Sequence, residues 1–350
     1  MSGWRKRIGQ WEHWPFPVFY APLLPAWLRN YARSKSLWYF AAANPTITYG
    51  GFEGESKSEQ YVQLPAHLCP KTVVVQPRTP YDAVLQEVAD AGLQFPLIAK
   101  PDVGMKGILF RKLEGAAQLA QYHNRMPAAY LVQEYLDHPL EVSIFYYRMP
   151  GTDRGTITAL IQKDLLQVQG NGRDTVAQLV QRNADIRPYY GAAVRHWGAK
   201  MNEVLPDGET LVLSHVANLV NGARFKNLQH LIDAQLTAVF DEISHQSQFY
   251  YGRYDIKCHQ PTDLHTGRNF YILEFNGAGS VPNHVFTGTY SLGGAYAEIA
   301  RHWDLLYRIS KANRDRGFRV PSTAEGRRFM KGMRQHFDQL KALDKKLVLS

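Results

Sequence analysis

The segment from Tyr251 to Asn276, YGRYDIKCHQPTDLHTGRNFYILEFN, constrains the fold of this 350-residue chain more than any other. It reads as two strands joined by a polar turn. Tyr254 to Cys258 alternates and is rich in strand formers. Pro261-Thr262-Asp263 and Thr266-Gly267-Arg268-Asn269 supply turn chemistry. Phe270 to Phe275 then runs apolar around Glu274, with Asn276 at its end. Glu274 and Asn276 are two residues apart and share a face of the strand. Pairing of the two strands brings Asp255 beside them. Two carboxylates and a carboxamide are hard oxygen ligands, suited to Mg²⁺ shared with substrate phosphates. Arg253, two residues before Asp255, points the same way, and a cation there suits a phosphoryl group or an oxyanion. The plainer reading is a hairpin whose polar residues face water.

Phe95 to Gly107, FPLIAKPDVGMKG, is the second informative stretch. An apolar strand, Leu97-Ile98-Ala99, ends in Lys100-Pro101. A short loop with Gly104 and Gly107 follows, and a strand is expected over Ile108 to Phe110. Strand, glycine loop, strand is a hairpin lid and not a Walker loop, since there is no GxxxxGK[ST] and no helix directly after it. The glycines let backbone N–H groups approach phosphates closely, and Lys100 places a point charge there. Helices are expected over Lys57–Leu64, Tyr81–Ala91, Leu228–Ser247 and Ala295–Ile309. Strands are expected over Lys71–Gln76, Ala129–Glu134, Glu141–Tyr147 and Thr156–Gln162. The paired Gly50-Gly51 permits a turn of positive φ that either presents Glu53, Glu55 and Ser56 to a pocket or forms a surface loop. Ser322 and Glu325 signal a capping box. The helix after it puts Met330, Met333, Phe337, Leu340 and Leu347 on one face, for packing on the body or for a membrane or partner.

In this order, the residues resemble the ATP-grasp ligases. Asp255 followed by Glu274-x-Asn276 on the next strand is similar to that family's metal-binding signature, and Arg253 to an arginine of the D-alanine–D-alanine ligases. Lys100 with its glycine hairpin resembles the family's phosphate loop, and Lys57 its earlier nucleotide-contacting lysine, by spacing alone. Gln167–Leu179 and Asp207–Asn227 are similar to the ATP-grasp domain of cyanophycin synthetase. Gly170-Asn171-Gly172 stands there for a Gly-Asp-Gly turn, and Asn218-Leu219-Val220-Asn221-Gly222 for an Asn-Leu-x-x-Gly-Gly segment. The resemblance covers Lys57 to His284. It implies an α/β (α+β) ATP-grasp fold, two lobes clamping ATP between antiparallel or mixed sheets, with an atypical N-terminal region.

The resemblance also implies roles. Lys57, Lys100, Gly104, Lys106 and Gly107 would contact the nucleotide. Gln133, Glu134, Tyr135 and Leu136 would form the hinge along the adenine, with Glu141 on the ribose or the metal side. Asp255, Glu274 and Asn276 would hold Mg²⁺, or Mn²⁺. Arg253 and Lys100 would act in catalysis, Arg253 on the acyl-phosphate oxygens. Ser280, Asn283 and His284, in the turn after Asn276, would face the acceptor. His215 is a further substrate-side candidate, although a satisfied core or pocket histidine is the plainer reading. The implied reaction activates a small carboxylate as an acyl phosphate and joins it to an amine, releasing ADP and phosphate. No side-chain nucleophile is required. The alternatives are a phosphotransferase with a hydroxyl acceptor, and a membrane-docked protein that acts on a lipid-linked substrate.

Composition sets the remaining bounds. Two cysteines, Cys69 and Cys258, give no disulfide framework, and a reducing, cytoplasmic compartment is the default. The opening residues do not read as a signal peptide, and no run reaches the length needed to span a bilayer. Net charge is +9 and uneven: residues 1–40 carry +5, residues 301–350 carry +8, and the rest sum to −4. Five of the seven tryptophans, Trp4, Trp11, Trp14, Trp27 and Trp38, lie in the first forty residues. Basic residues mixed with Trp suit an anionic membrane surface at the inner face, and a nucleic acid is not expected as partner. The plainer reading packs the tryptophans on the body and leaves the charges solvated. The expected division is 1–56 as an N-terminal region, 57–93 as a lead-in, 94–140 as the small lobe, 141–310 as the large lobe and 311–350 as a basic amphipathic end.

Overall fold

The computed structural model describes residues 11–214, 217 and 219–347. The chain is α/β, with antiparallel sheets, and divides into two compact units: residues 1–160 with 228–350, and residues 161–227.

In the larger unit, one sheet has the order β1 (Thr72–Val75), β4 (Tyr130–Glu134), β2 (Leu97–Pro101), β3 (Arg111–Leu113), with antiparallel pairing throughout. Helices α4 (Tyr81–Asp90) and α5 (Ala116–Arg125) supply Val84, Val88, Leu119 and Tyr122 to its core. Leu97 and Ala99 enter that core. The period of two therefore turns Ile98 and Lys100 to the other face. The strand expected over 108–110 is a pair of turns instead, and β3 begins at Arg111. Lys106, Gly107 and Leu109 all have positive φ there, a region that opposes strand pairing. Leu109 is fully buried, its N–H bonded to Asp344 Oδ1 and its carbonyl to Tyr122 Oη.

A second sheet of this unit runs β11 (Phe270–Asn276), β10 (Tyr251–Cys258), β5 (Leu140–Arg148), β6 (Gly155–Asp164). Its inner face packs on α8 (Ala234–Ser247) through Leu236, Phe240 and Ile243. That helix starts later than expected because Asp233 caps it, Oδ1 accepting from Leu236 N–H at 2.8 Å. The N-terminal segment adds α1 (Phe16–Tyr20) and α2 (Leu24–Ser34). It joins the long α9 (Leu292–Asp315) through Trp11, Phe19, Leu23, Ala295 and Ile299. Asn44, fully buried, ties this segment to the start of β10: Oδ1 accepts from Tyr250 and Tyr251 N–H, and Nδ2 donates to Gly50 and Tyr251 carbonyls. The last helix, α10 (Thr323–Asp344), opens on the Ser322–Glu325 capping box and buries Phe337 and Leu340. Among the described residues, no helix is long and apolar enough to cross a membrane.

The smaller unit has its own core, including Leu166, Val176, Val180, Leu205 and Leu211, to which helix α7 (Tyr190–Trp197) adds Ala193. Ile161–Asp164 of β6 pair with β9 (Arg224–Asn227), and β7 (Gln167–Gln169) pairs with β8 (Thr210–Val212). Asn171 Oδ1 accepts from the amides of Arg173 and Asp174, closing the turn ahead of α6 (Val176–Arg182). Thr175 caps that helix with a full capping box.

Candidate active site

β10 lies between β5 and β11, and its register decides which side chains meet. Asp255 is opposite Ser143 on β5 and Glu274 on β11. Arg253 is opposite Phe145 and Asn276, and Lys257 is opposite Glu141. Directly opposed residues share a face. Glu141, Ser143, Arg253, Asp255, Lys257, Glu274 and Asn276 therefore gather on one side. Val142, Ile144, Tyr254, Ile256 and Phe275 enter the core on the other. A bulge makes this division work: Asp255 pairs with Glu274, but Ile256 pairs with Ile272, so Leu273 is the extra residue. The shift lets Ile272 stay in the core while Glu274, two residues on, faces outward.

The polar face is tightly bonded. Arg253 Nε and Nη2 donate to Asp255 Oδ1 and Oδ2 at 2.9 and 3.0 Å. Ser143 Oγ donates to Asp255 Oδ1 at 2.5 Å. Asn276 Nδ2 donates to both Asp255 Oδ2 (3.1 Å) and Glu274 Oε1 (3.2 Å). Lys57 Nζ stands 3.8 Å from Glu274 Oε2. Burial works against the charge on Arg253, and Asp255 outweighs it, so its pKa rises. Two carboxylates on neighbouring strands, bridged by a carboxamide N–H, suit a divalent cation by donor chemistry: all three residues offer hard oxygens. Asp255, Glu274 and Asn276 are the residues that could hold it.

Lys100 faces the same region from the first sheet. It is buried, and burial lowers its pKa to about 8, with Glu274, Glu141 and Asp102 opposing the shift. Its Nζ lies 3.2 Å from Tyr61 Oη, which also accepts from Gln133 Nε2 at 3.2 Å and donates to the Leu273 carbonyl at 2.5 Å. Tyr61 thus links Lys100 to the bulge residue of β11. It belongs to the short helix α3 (Lys57–Tyr61). One residue earlier, Gln60 donates Nε2 to the Phe275 carbonyl (2.8 Å) and accepts from Phe275 N–H (2.9 Å), closing the edge of β11 as a strand would. Asp102 fixes the other end of α3: Oδ1 accepts from Ser58 N–H at 2.8 Å and Oδ2 from Ser56 Oγ at 2.7 Å.

The loop after Lys100 is held from outside. Gly104 O lies 3.5 Å from Lys57 Nζ, and His336 of α10 bonds the Val103 carbonyl at 2.8 Å. Asp344 binds Leu109 N–H and Arg111 Nη2, each at 2.9 Å. Lys106 and Gly107 sit at the positive-φ bend of this loop. Along the expected hinge, Gln133 is buried and bonds Thr72 Oγ1 as well as Tyr61. Glu134 Oε1 accepts from Lys71 N–H at 2.7 Å, so it fastens the start of β1. Tyr135 is exposed under Lys112, and the Leu136 carbonyl accepts from Lys257 Nζ at 3.2 Å. Glu55, partly exposed, has its pKa raised by burial, with Glu274 and Glu53 adding to the shift and Lys57 opposing it.

The acceptor-side candidates separate. With its amide oriented to satisfy both neighbours, Asn283 accepts from Arg253 Nη1 at 3.0 Å and donates to the Val281 carbonyl. Ser280 is buried and spends its hydroxyl on the Gly277 carbonyl. His284 is fully buried in a cluster with Glu298, His302 and Arg301: Glu298 Oε1 receives His284 Nε2 at 3.0 Å, His302 Nε2 at 3.1 Å and Arg301 Nη2 at 2.6 Å. Burial opposes the charge on Glu298, and these hydrogen bonds outweigh it, holding the carboxyl well below the usual range. Burial lowers His302 to about 4. The His-Glu-His donor set could take a metal, but the guanidinium of Arg301 already neutralises its carboxylate. His215 lies outside the described residues, as does Asn218.

Sequence reasoning missed Gln60, Tyr61, Asp102, Ser143, Lys257 and Glu298. Lys257 carries a readable signal, lying two residues beyond Asp255 on the same strand face. Ser143, two residues beyond Glu141, carries the same signal, and Glu298 stands one helical turn before Arg301 and His302; Gln60, Tyr61 and Asp102 take partners from distant segments and carry none.

No family model matches the sequence, and no curated protein does. Solved structures do. A bifunctional glutathione synthetase from Pasteurella multocida is similar at 13% identity and a TM-score of 0.41, over 76% of this chain and 38% of its own. The ATP-grasp ligase PsnB, complexed with a minimal precursor, is similar at 16% identity and 0.38, over 71% of this chain and 60% of its own. A D-alanine–D-alanine ligase from Bacillus anthracis is similar at 11% identity and 0.42, over 75% and 69%. The chain thus spans less than two thirds of the first two. At such TM-scores the likeness carries no argument about function, which must come from the side chains. What the chain resembles in these comparisons is a set of ligases, one of them an ATP-grasp enzyme by name.

Proposed function

We propose that this protein is an ATP-dependent ligase that activates a carboxylate as an acyl phosphate and couples it to an amine. The observation that carries the proposal is the gathering of Asp255, Glu274 and Asn276 on one sheet face, with Lys57, Lys100 and Arg253 around them. Three oxygen-bearing side chains beside three cations is an arrangement for phosphate chemistry and wasteful for a structural hairpin. Mg²⁺ or Mn²⁺ bound by those oxygens would supply charge neutralisation for the phosphates of ATP.

The chain's own residues carry the rest. Lys100 and Lys57 place two positive charges where the transferring phosphoryl group would pass, and positioning with electrostatic stabilisation provides most of the catalysis in such transfers. The loop at residues 104–107, held on either side by His336 at Val103 and Asp344 at Leu109, would offer its backbone amides to the phosphates. The substrate carboxylate attacks the γ-phosphorus and ADP leaves. The amine then attacks the acyl carbon, phosphate leaves, and the amine gives up a proton. Arg253, whose Nη1 donates to Asn283 and whose other nitrogens donate to Asp255, would hold the oxyanion of that second step.

The test is phosphate release from ATP and Mg²⁺ with paired carboxylates and amines, using Asp255→Asn as the blank. Release that requires both partners and yields an amide supports the proposal. Phosphate transfer to a hydroxyl acceptor, without need of a carboxylate, replaces it with a phosphotransferase. A search that gives the same signal in the variant removes it.

A further inference from the structure

Helix α2 has two apolar faces, and only one is used. Leu23, Trp27, Asn30 and Ser34, at spacings of three and four, turn toward α9: Trp27 meets Trp303 edge-on at 5.6 Å, and Asn30 Nδ2 bonds the Trp303 carbonyl at 3.1 Å. About a quarter-turn round the helix from that face stand Leu24, Leu28 and Tyr31, at 54, 50 and 44% exposure. Phe16 and Val18 of α1 are likewise exposed, at 68 and 54%. A surface helix ordinarily keeps one apolar stripe and leaves the rest polar. A concentration of large exposed side chains in so short a stretch marks an interaction surface.

Charge selects the partner. From residue 13 to residue 52 the sequence contains no Asp or Glu, while Arg29, Arg33 and Lys35 all lie on α2 or at its C-terminal cap. Arg29 and Arg33, on the far flank of the helix from that stripe, share one acid, Asp304, at 3.8 and 2.8 Å, and Lys35 follows the stripe at the C-terminal cap, so the segment keeps a net positive charge. A second copy of this chain fits poorly, because a two-fold interface would set this acid-free, cationic rim against itself. A surface that is apolar inside and anionic at its boundary answers both features. We propose that Leu24, Leu28 and Tyr31, with Lys35 at the end of the helix and Arg29 on its outer side, form an in-plane docking face for an anionic phospholipid bilayer. Three tryptophans among the described residues are not the anchors: Trp11 and Trp38 are buried, and Trp27 packs inward. The inference does not depend on the ligase reading.

The experiment is cosedimentation of the full chain with vesicles of equimolar phosphatidylglycerol and phosphatidylcholine, and with phosphatidylcholine alone, at low and high salt. The protein is expected to pellet with the anionic vesicles at low salt and to be released by high salt. The triple change Leu24→Ser, Leu28→Ser, Tyr31→Ser should lower the bound fraction more than about tenfold. Arg29→Glu with Lys35→Glu should lower it about tenfold or more. All five side chains are on the surface, so an unchanged thermal unfolding midpoint certifies each variant, and the charge pair keeps the test intact if the triple change misfolds. Wild-type protein left in the supernatant at low salt overturns the proposal. So does equal binding to neutral vesicles, undiminished binding by a folded variant, or a solution dimer that the triple change abolishes.

Discussion

Arg253 clasps Asp255 two residues along the same strand, Nε to Oδ1 at 2.9 Å and Nη2 to Oδ2 at 3.0 Å, with both side chains largely buried. The clasp sets a guanidinium against the carboxylate that faces Glu274. Asp255→Asn keeps the shape and removes the charge. Phosphate release should fall by more than about a hundredfold, because a ligand and a counter-charge go together. Stability should fall by about 2 kcal/mol as Arg253 loses its partner. Urea unfolding reads the second effect, and a turnover assay at saturating ATP reads the first. Wild-type turnover in a folded variant would contradict the site.

Lys100 makes opposite predictions for activity and stability. Its pKa in the fold is near 8, against an ordinary value of 10.5. The proton that counters phosphate charge is lost as pH rises through about 8, so kcat/KM for ATP should decline above that point. Stability moves the other way. Between about 8 and 10.5 the unfolded chain holds this proton and the folded chain does not, so raising the pH favours the fold. Relative to Lys100→Met, the wild type should gain about 3 kcal/mol across that window. Parallel pH profiles of unfolding for the two proteins would settle the matter, and a flat difference would disprove it.

Gln60 stands in for a missing neighbour strand at Phe275. Its carboxamide satisfies one N–H and one C=O on the outer edge of β11, both buried. Gln60→Ala leaves both orphaned and should cost about 2 to 4 kcal/mol. Phe275 lies between Glu274 and Asn276, so hydrogen exchange at residues 273–276 should accelerate and turnover should drop with it. Unchanged exchange there would mean that the edge needs no cover.

Asp102 acts on Lys57 through the helix start. It bonds Ser58 N–H and Ser56 Oγ, and so sets the direction from which Lys57 reaches Glu274 and the Gly104 carbonyl. Asp102→Ala should cost about 1 kcal/mol, as for a lost helix cap. It should raise KM for ATP several-fold while leaving kcat nearer to wild type. Equal loss in both constants would instead make Asp102 a direct participant in the reaction.

The polar face was readable because it obeys a rule of two. Glu274 and Asn276, and Arg253 and Asp255, are each separated by one core residue, and a hairpin between them follows from the turn residues. The bulge at Leu273 was not read, although Ile272 and Phe275, three apart and both buried, break the alternation that would have revealed it. Gln60, Tyr61 and Asp102 escaped notice because their partners lie 215, 212 and 44 residues away in the chain. A local pattern says nothing of such bonds. The strand expected over 108–110 failed for a related reason. Leu109 is apolar and strand-like by composition, but its left-handed backbone is imposed by Tyr122 and Asp344 from outside the segment.

Asp344 grips Leu109 and Arg111 across more than two hundred residues of intervening chain. During translation, the glycine loop therefore emerges long before the carboxylate that shapes it. Until α10 is made and docked, Lys100 is present but the loop beside it is not fixed. The order of synthesis thus delays the shaping of this loop until Asp344 has been made, more than two hundred residues after the loop itself.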